Sequence, residues 1–154
     1  MTPAAATGRA ALVAVVTVLV DQAVKAIVRG SIPVGGQEDV VPGVHLVHVR
    51  NSGVAFGFFA GGGWLLIVVG AVALGALLAF FATHVRRPLA WLPVGLLIGG
   101  AAGNFVDRLR LGAVTDFVKL PHWPAFNVAD VAITLGVIAL IYVLEGPPRH
   151  AEPA

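Results

Sequence analysis

Long apolar runs alternate along this chain with short polar stretches, and the polar residues gather where the runs end. A helix needs roughly 20 mainly apolar residues to cross the hydrocarbon of a bilayer. Four runs meet that need, about Ala10 to Val28, Gly61 to Thr83, Pro88 to Val106 and Ala125 to Leu144. They predict an all-α membrane protein of four transmembrane helices in a single domain over 1–154, with both termini on the same side. The first run follows Arg9 and has the outline of a signal peptide. Asp21 and Lys25 interrupt it and no small-residue cleavage site follows, so it reads as the first transmembrane helix.

Two loops on the opposite side are long enough to carry structure. The first, Gly30 to Ala60, holds the turn formers Pro33, Gly35, Gly36, Pro42 and Gly43, and then a β-branched stretch that predicts a strand over Val44 to Arg50. The second, Leu109 to Pro124, has a similar stretch around Val114 to Leu120, ended by Pro121 and Pro124. Paired, they would form a small sheet at the membrane surface. Phe56, Phe58, Phe59, Trp64 and Trp123 fall at the expected water and lipid boundaries, where aromatic rings anchor membrane proteins.

Composition sharpens the class. With 58% hydrophobic residues, 12% charged residues and a mean hydropathy of +0.91, the chain has more apolar surface than a soluble domain of its size can hide. Basic residues lie on both sides, Arg9, Arg86, Arg87 and Arg149 on one and Arg29, Arg50, Arg108, Arg110 and Lys119 on the other. The density of Arg86 and Arg87 in a very short loop favours that side as cytoplasmic. A net charge of only +2, dispersed, leaves no footprint for a nucleic-acid partner. The absence of cysteine excludes disulfides and thiol nucleophiles.

The candidate chemistry lies in two stretches, GGAAGNFVDR (Gly99 to Arg108) and VTDFVKLPHWPAFNVAD (Val114 to Asp130). Ionisable side chains at membrane depth cost a few kcal/mol or more, so their retention points to use. Asn104, Asp107 and Arg108 share one side of the third helix where it reaches the exported face. Asn127 and Asp130 stand at the start of the fourth, and Asp130 points back toward Asn104 if those two helices are neighbours. Asp21 and Lys25 lie in the outer half of the first helix, and Asn51 and Asp116 in the two exported loops. Two neighbouring carboxylates share a proton, so that one activates water while the other acts as acid. Asparagines and an arginine would orient them. Any pair among Asp21, Asp107, Asp116 and Asp130 satisfies this argument.

Five ordered blocks resemble the lipoprotein signal peptidases, also called signal peptidase II: Asp21 with Lys25, NSGVAFG at Asn51 to Gly57, GGAAGNFVDR, VTDF, and FNVAD at Phe126 to Asp130. The resemblance implies four transmembrane helices with a small extracytoplasmic β-sheet and a short exported helix. It maps the catalytic dyad to Asp116 and Asp130, and substrate-binding or supporting roles to Asp21, Lys25, Asn51, Asn104, Arg108 and Asn127. Asp107, adjacent to Arg108, reads as structural. The implied reaction is removal of signal peptides from prolipoproteins on the N-terminal side of a diacylglyceryl-modified cysteine. The implied setting is the bacterial inner membrane, with the site at the extracytoplasmic face, no cofactor and no metal. The dyad is complete within one bundle, which favours a functional monomer whose partners are prolipoproteins and membrane lipids.

Other readings of the same residues account for less. Gly95, Gly99 and Gly103 recur every four residues and read as a helix-packing ridge. His45 and His48, three apart in a strand, fall on opposite faces and do not suggest a metal pair. A serine and lysine protease built on Ser52 and Lys25 lacks a nucleophile context. A proton-coupled transporter would account for Asp21 but not for two structured exported loops, and a lipid-binding assembly module would not account for the aspartates of VTDF and FNVAD.

Overall fold

The computed structural model describes residues 2–53, 63–84, 87 and 89–145. In chain order they form α1 (Pro3–Ser31), β1 (Gln37–Val41), β2 (Val44–Asn51), α2 (Gly63–His84), α3 (Trp91–Leu111), β3 (Val114–Lys119) and α4 (Val128–Glu145). The four helices correspond to the four apolar runs. No fifth, short helix occurs among the described residues. The expectations that rest on Phe56, Phe58, Phe59, Arg86, Arg149, the Val54 to Gly57 part of the second block and the Trp64 side chain fall outside them.

Helix ends depart from the apolar run ends for local reasons. Helix α1 begins at Pro3 rather than Ala10 because Thr2 caps it, its Oγ1 accepting from the Ala5 N–H at 3.3 Å, with proline at the first helical position. Helix α3 passes its charged residues and stops only at Gly112, a left-handed cap (φ 71°) whose N–H donates to the Arg108 carbonyl. Arg50 donates to the freed Leu111 carbonyl at 2.7 Å.

Helix α3 sits between α1 and α4, and α2 packs against it. Close approach depends on glycine. A Cβ at Gly95 would lie 2.7 Å from Val13, one at Gly99 2.6 Å from Thr17, and one at Gly103 2.7 Å from an Asp21 oxygen. On the other flank, a Cβ at Gly100 would meet the Ala129 carbonyl at 2.5 Å. The ridge read from the sequence is therefore the α1 and α3 contact. The buried face of α1 carries Ala6, Ala10, Ala14, Thr17, Asp21 and Lys25, whereas Leu12, Val16, Leu19 and Ile27 point outward. Small and polar inside, large and apolar outside is the arrangement of helices packed in lipid. Both α1 and α4 are long and apolar enough to cross a membrane.

The sheet has strand order β1-β2-β3, antiparallel throughout. Strands β2 and β3 lie where the β-branched stretches predict them and pair as expected. Strand β1 is an addition to the two predicted strands. All five of its residues, QEDVV, are exposed, so no apolar alternation marks it. It pairs with β2 through Pro42 and Gly43 (φ 82°), in the proline then glycine order of a type II turn. Buried Val28, Ile32 and Phe117, with Leu46 and Val118 against them, fasten the sheet to the end of α1.

Strand β2 is interrupted by a bulge. Leu46 pairs with Val118, but Val49 pairs with Asp116, so Val47 and His48 together oppose Phe117. The alternation of faces is reversed there, since one extra residue moves everything after it to the other side of the sheet.

Candidate active site

The first turn of α4 is closed by a reciprocal cap. Asn127 precedes the helix, and its Oδ1 accepts from the Asp130 N–H at 3.0 Å while Asp130 Oδ2 accepts from the Asn127 N–H at 3.2 Å. This is the capping-box geometry, built here from asparagine and aspartate. It leaves the Asn127 amide nitrogen free to reach out of the helix. That nitrogen donates to Asp116 Oδ1 at 2.7 Å and to Asn104 Oδ1 at 3.1 Å. A single residue thus joins the two carboxyls of VTDF and FNVAD, by its side chain to Asp116 and by its backbone N–H to Asp130.

Asp130 takes a second donor from α3, the Asn104 Nδ2 at 2.8 Å. Asp116 takes its second donor from β2, the Asn51 Nδ2 at 3.0 Å. The bulge makes that contact possible: beyond it, Val49 lies opposite Asp116 and Asn51 is its diagonal neighbour on the same face. With unbroken alternation from Leu46, Asn51 would point to the other face. Asn51 Oδ1 also accepts from the Gly53 N–H at 2.9 Å, which orients the amide nitrogen toward the carboxylate.

Beneath the pair lies a closed ionic layer. Lys25, fully buried, donates to Asp21 Oδ2 at 2.8 Å, to Asn104 Oδ1 at 2.9 Å and to Asp107 Oδ2 at 3.3 Å. Asp21 also accepts the Ala129 N–H at 2.9 Å, satisfying another free amide of the α4 N-terminus. Asp107 accepts the Thr115 N–H at 2.9 Å and lies 3.6 Å from Arg29, which itself donates to Thr115 Oγ1 at 3.2 Å. Asp107 therefore ties α1 and α3 to β3. The expected reason for its structural role, adjacency to Arg108, is corrected by these contacts: its cations are Lys25 and Arg29. Arg108 bends back to the Asn104 carbonyl at 3.3 Å and, among the described residues, reaches no carboxylate.

Gln22, Arg29, Arg50 and Thr115 are contacts that sequence reasoning missed. A signal existed for one of them, since Asp21, Lys25 and Arg29 follow at steps of four along a single helix face. Gln22 donates to Asp21, Asp107 and the Gly103 carbonyl at 3.1 to 3.2 Å.

The two carboxyls differ in setting. Asp116 is 2 % exposed, and burial pushes its carboxyl above the usual carboxylate range. The Asn51 donor pulls it down, the Asp130 charge pushes it up, and Asn127 and Lys25 pull it down more weakly. Asp130 is half-buried and borders a groove of about 260 Å³ lined by Trp123, Phe126, Val131, Thr134 and Leu135. Asp116 borders a second, more polar groove of about 300 Å³ with Val49, Arg50, Asn51 and Ser52. The pair thus stands between two recesses, the one beside Asp116 being the more polar.

The histidines stand apart from the pair. His48 is buried, with Nδ1 2.7 Å from the Ile32 carbonyl, and His45 Nδ1 lies 2.6 Å from the exposed Asp39. The bulge removes the simple alternation on which their opposite-face reading rested, yet their partners still differ.

A family model described as Signal peptidase (SPase) II matches residues 13–145. A lipoprotein signal peptidase of Nitratidesulfovibrio vulgaris is 39% identical over 145 residues, covering 88% of both chains. One of Maridesulfovibrio salexigens is 41% identical over 143 residues, covering 86% of this chain and 92% of its own. A solved structure described as a bacterial membrane enzyme superimposes with a TM-score of 0.83 at 34% identity, covering 89% of this chain and 92% of that one.

Proposed function

The chain belongs to the signal peptidase II family, and from that membership and the geometry around Asn127 we propose that it is an aspartic endopeptidase acting on prolipoproteins. It removes the signal peptide on the N-terminal side of a diacylglyceryl-modified cysteine. The observation that carries the reading is the joining of Asp116 and Asp130 through one residue, Asn127, whose side-chain amide donates to Asp116 and whose backbone N–H donates to Asp130, with each carboxyl given a further asparagine donor.

Asp116, buried and disposed to hold a proton, serves as the acid toward the scissile carbonyl oxygen. Asp130, the more open of the two, takes a proton from the attacking water. The tetrahedral diol then collapses as Asp130 gives its proton to the leaving amine and Asp116 takes one back from a diol hydroxyl, which returns the pair to its starting state. Asn51, Asn104 and Asn127 hold the carboxyls in register, while Asp21, Lys25 and Arg108 support from the helices. Asp107, Gly99 and Gly103 keep the bundle closed.

Four membrane spans with cytoplasmic termini suit this reaction. Support comes from the apolar outer faces of α1 and α4 and from α2, which contains no Asp, Glu, Lys or Arg. The sheet and the pair then stand at the exported face of a bacterial inner membrane, where water has access and a lipidated cysteine stays in the leaflet. One bundle contains the whole pair, and a monomer suffices.

The test is cleavage of a purified diacylglyceryl-modified prolipoprotein in detergent with chelator present, by wild type, Asp116→Asn and Asp130→Asn. Wild-type cleavage with a loss of about 1,000-fold or more in both folded variants is expected. Near-normal activity in either variant would refute the dyad, and an inactive wild type would refute the substrate.

A further inference from the structure

Lys25 is the one ammonium at the junction between the ionic layer and the carboxyl pair among the described residues, and its three donors are all used. Two go to Asp21 and Asp107, and the third goes to the Asn104 side-chain oxygen at 2.9 Å. An ammonium has donors only, so the edge of Asn104 that faces it has to be the oxygen. The Asn104 nitrogen is thereby turned the opposite way, and it lies 2.8 Å from Asp130. The same oxygen accepts from Asn127 at 3.1 Å, and Asn127 donates from that nitrogen to Asp116.

We infer that Lys25 is a positioning residue that sets the polarity of this amide chain, acting on Asp130 and Asp116 through Asn104 rather than only closing an ion pair. The inference rests on the proposed peptidase reading and deepens it. An ionised Asp130, which only accepts, selects the same orientation, but in the proposed reaction it takes up a proton, whereas the Lys25 ammonium presents donors throughout. Asn127, itself held by the α4 cap and by Asp116, donates to the same Asn104 oxygen, so that Lys25 and Asn127 together define that edge. A rotated Asn104 would present its oxygen to Asp130 and its nitrogen to the Asn127 nitrogen, opposing like groups at both ends.

The other charged groups around the layer do not substitute. Arg29 of α1 is engaged with Asp107 and Thr115, Arg108 of α3 with its own backbone, and Arg50 of β2 with the Leu111 carbonyl. The carboxylates facing Lys25 are Asp21 of α1 and Asp107 of α3, with Asp116 of β3 and Asp130 of α4 reached through the amides.

A double-mutant cycle between Lys25 and Asn104 tests this, read as kcat and KM on lipidated prolipoprotein. Lys25→Met is expected to lower kcat about 30-fold or more with little change in KM, and to cost less than about 3-fold more in an Asn104→Ala background. An equal loss in both backgrounds, or full retention of kcat by Lys25→Met, would overturn the inference. If Lys25→Met does not fold, Asn104→Asp decides, because it keeps an acceptor for Lys25 and removes the donor to Asp130. Wild-type kcat in folded Asn104→Asp would overturn it.

A second readout is independent of turnover. In asparagine-15N-labelled protein in micelles, the Asn104 side-chain amide protons should be protected from exchange in wild type and at least about 10-fold less protected in Lys25→Met. If Lys25→Met does not fold, Asn104 amide protons unprotected in wild type would count against the inference. Unchanged protection in folded Lys25→Met would do the same. A wild type that does not cleave would count against the peptidase reading alone, leaving the exchange result to decide this one.

Discussion

Asn127 and Asp130 cap each other across the first turn of α4, each side chain accepting the other's backbone N–H. A local device for ending a helix is here also the device that presents a carboxyl. Because the cap consumes the Asn127 oxygen, its nitrogen is left to face Asp116. The helix terminus and the proposed active site are therefore one structure.

The two jobs of Asn127 should be separable. Asn127→Ser keeps a good N-cap oxygen and loses the amide donor, whereas Asn127→Ala loses both. Both variants lose the buried amide donor and should be destabilised, Asn127→Ala by roughly 1 kcal/mol more than Asn127→Ser for the lost cap, and both should lower kcat by about 100-fold. Denaturation in detergent alongside single-turnover cleavage checks this. Equal stability of the two variants would contradict the capping role.

The pH dependence follows from Asp116. Its carboxyl is raised by burial, so the proton is held at pH values where an exposed aspartate has lost it. The Asn51 donor opposes that rise by favouring the charged form. Replacing Asn51 with Leu removes the donor, pushes the carboxyl higher and should move the alkaline limb of kcat/KM to higher pH. The sign is firm: losing a hydrogen bond to the ionised form always favours the protonated one. A limb moving to lower pH would show that Asp116 is not the acid.

Glycine packing yields a paired prediction. A methyl at Gly99 would meet Thr17 at 2.6 Å, while nothing lies within 4 Å of the corresponding point at Gly8 in the same helix pair. Gly99→Ala should destabilise by about 1 to 3 kcal/mol through overpacking. Gly8→Ala should be neutral or stabilising by up to about 1 kcal/mol through helix propensity. Thermal unfolding of the two variants distinguishes a packing ridge from a general intolerance of change.

Strain in the turn before α4 can be tested separately. His122 adopts φ 60°, following Pro121, in a turn where the Trp123 N–H donates to the Leu120 carbonyl. A side chain in this region costs of order 1 kcal/mol relative to glycine. His122→Gly should therefore raise stability by up to about 1 kcal/mol. A loss of activity in a stabilised His122→Gly protein would tie the rigidity of this turn, which carries Trp123 to the groove beside Asp130, to turnover.

Local pattern alone identified the helices and two strands, because apolar runs and β-branched stretches bounded by proline and glycine report their own conformation. Composition likewise marked a membrane protein, and five short blocks were enough to point to the family and to Asp116 and Asp130. Strand β1 escaped because an edge strand exposed along its whole length buries no face and leaves no alternation to read. The bulge at Val47 and His48 escaped for a related reason: register is a property of two strands, and it decides whether Asn51 meets Asp116.

The partners of Asp107, and the direction in which the Asn104 amide points, depend on residues brought together across the bundle. Lys25 and Asn104 stand 79 positions apart in sequence, and Asp21 and Ala129 108 apart. The chain's own pattern named the polar groups of the proposed active site. Only the packing of α1 against α3 and α4 decided which oxygen faces which donor, because hydrogen-bond polarity is set by neighbours in space.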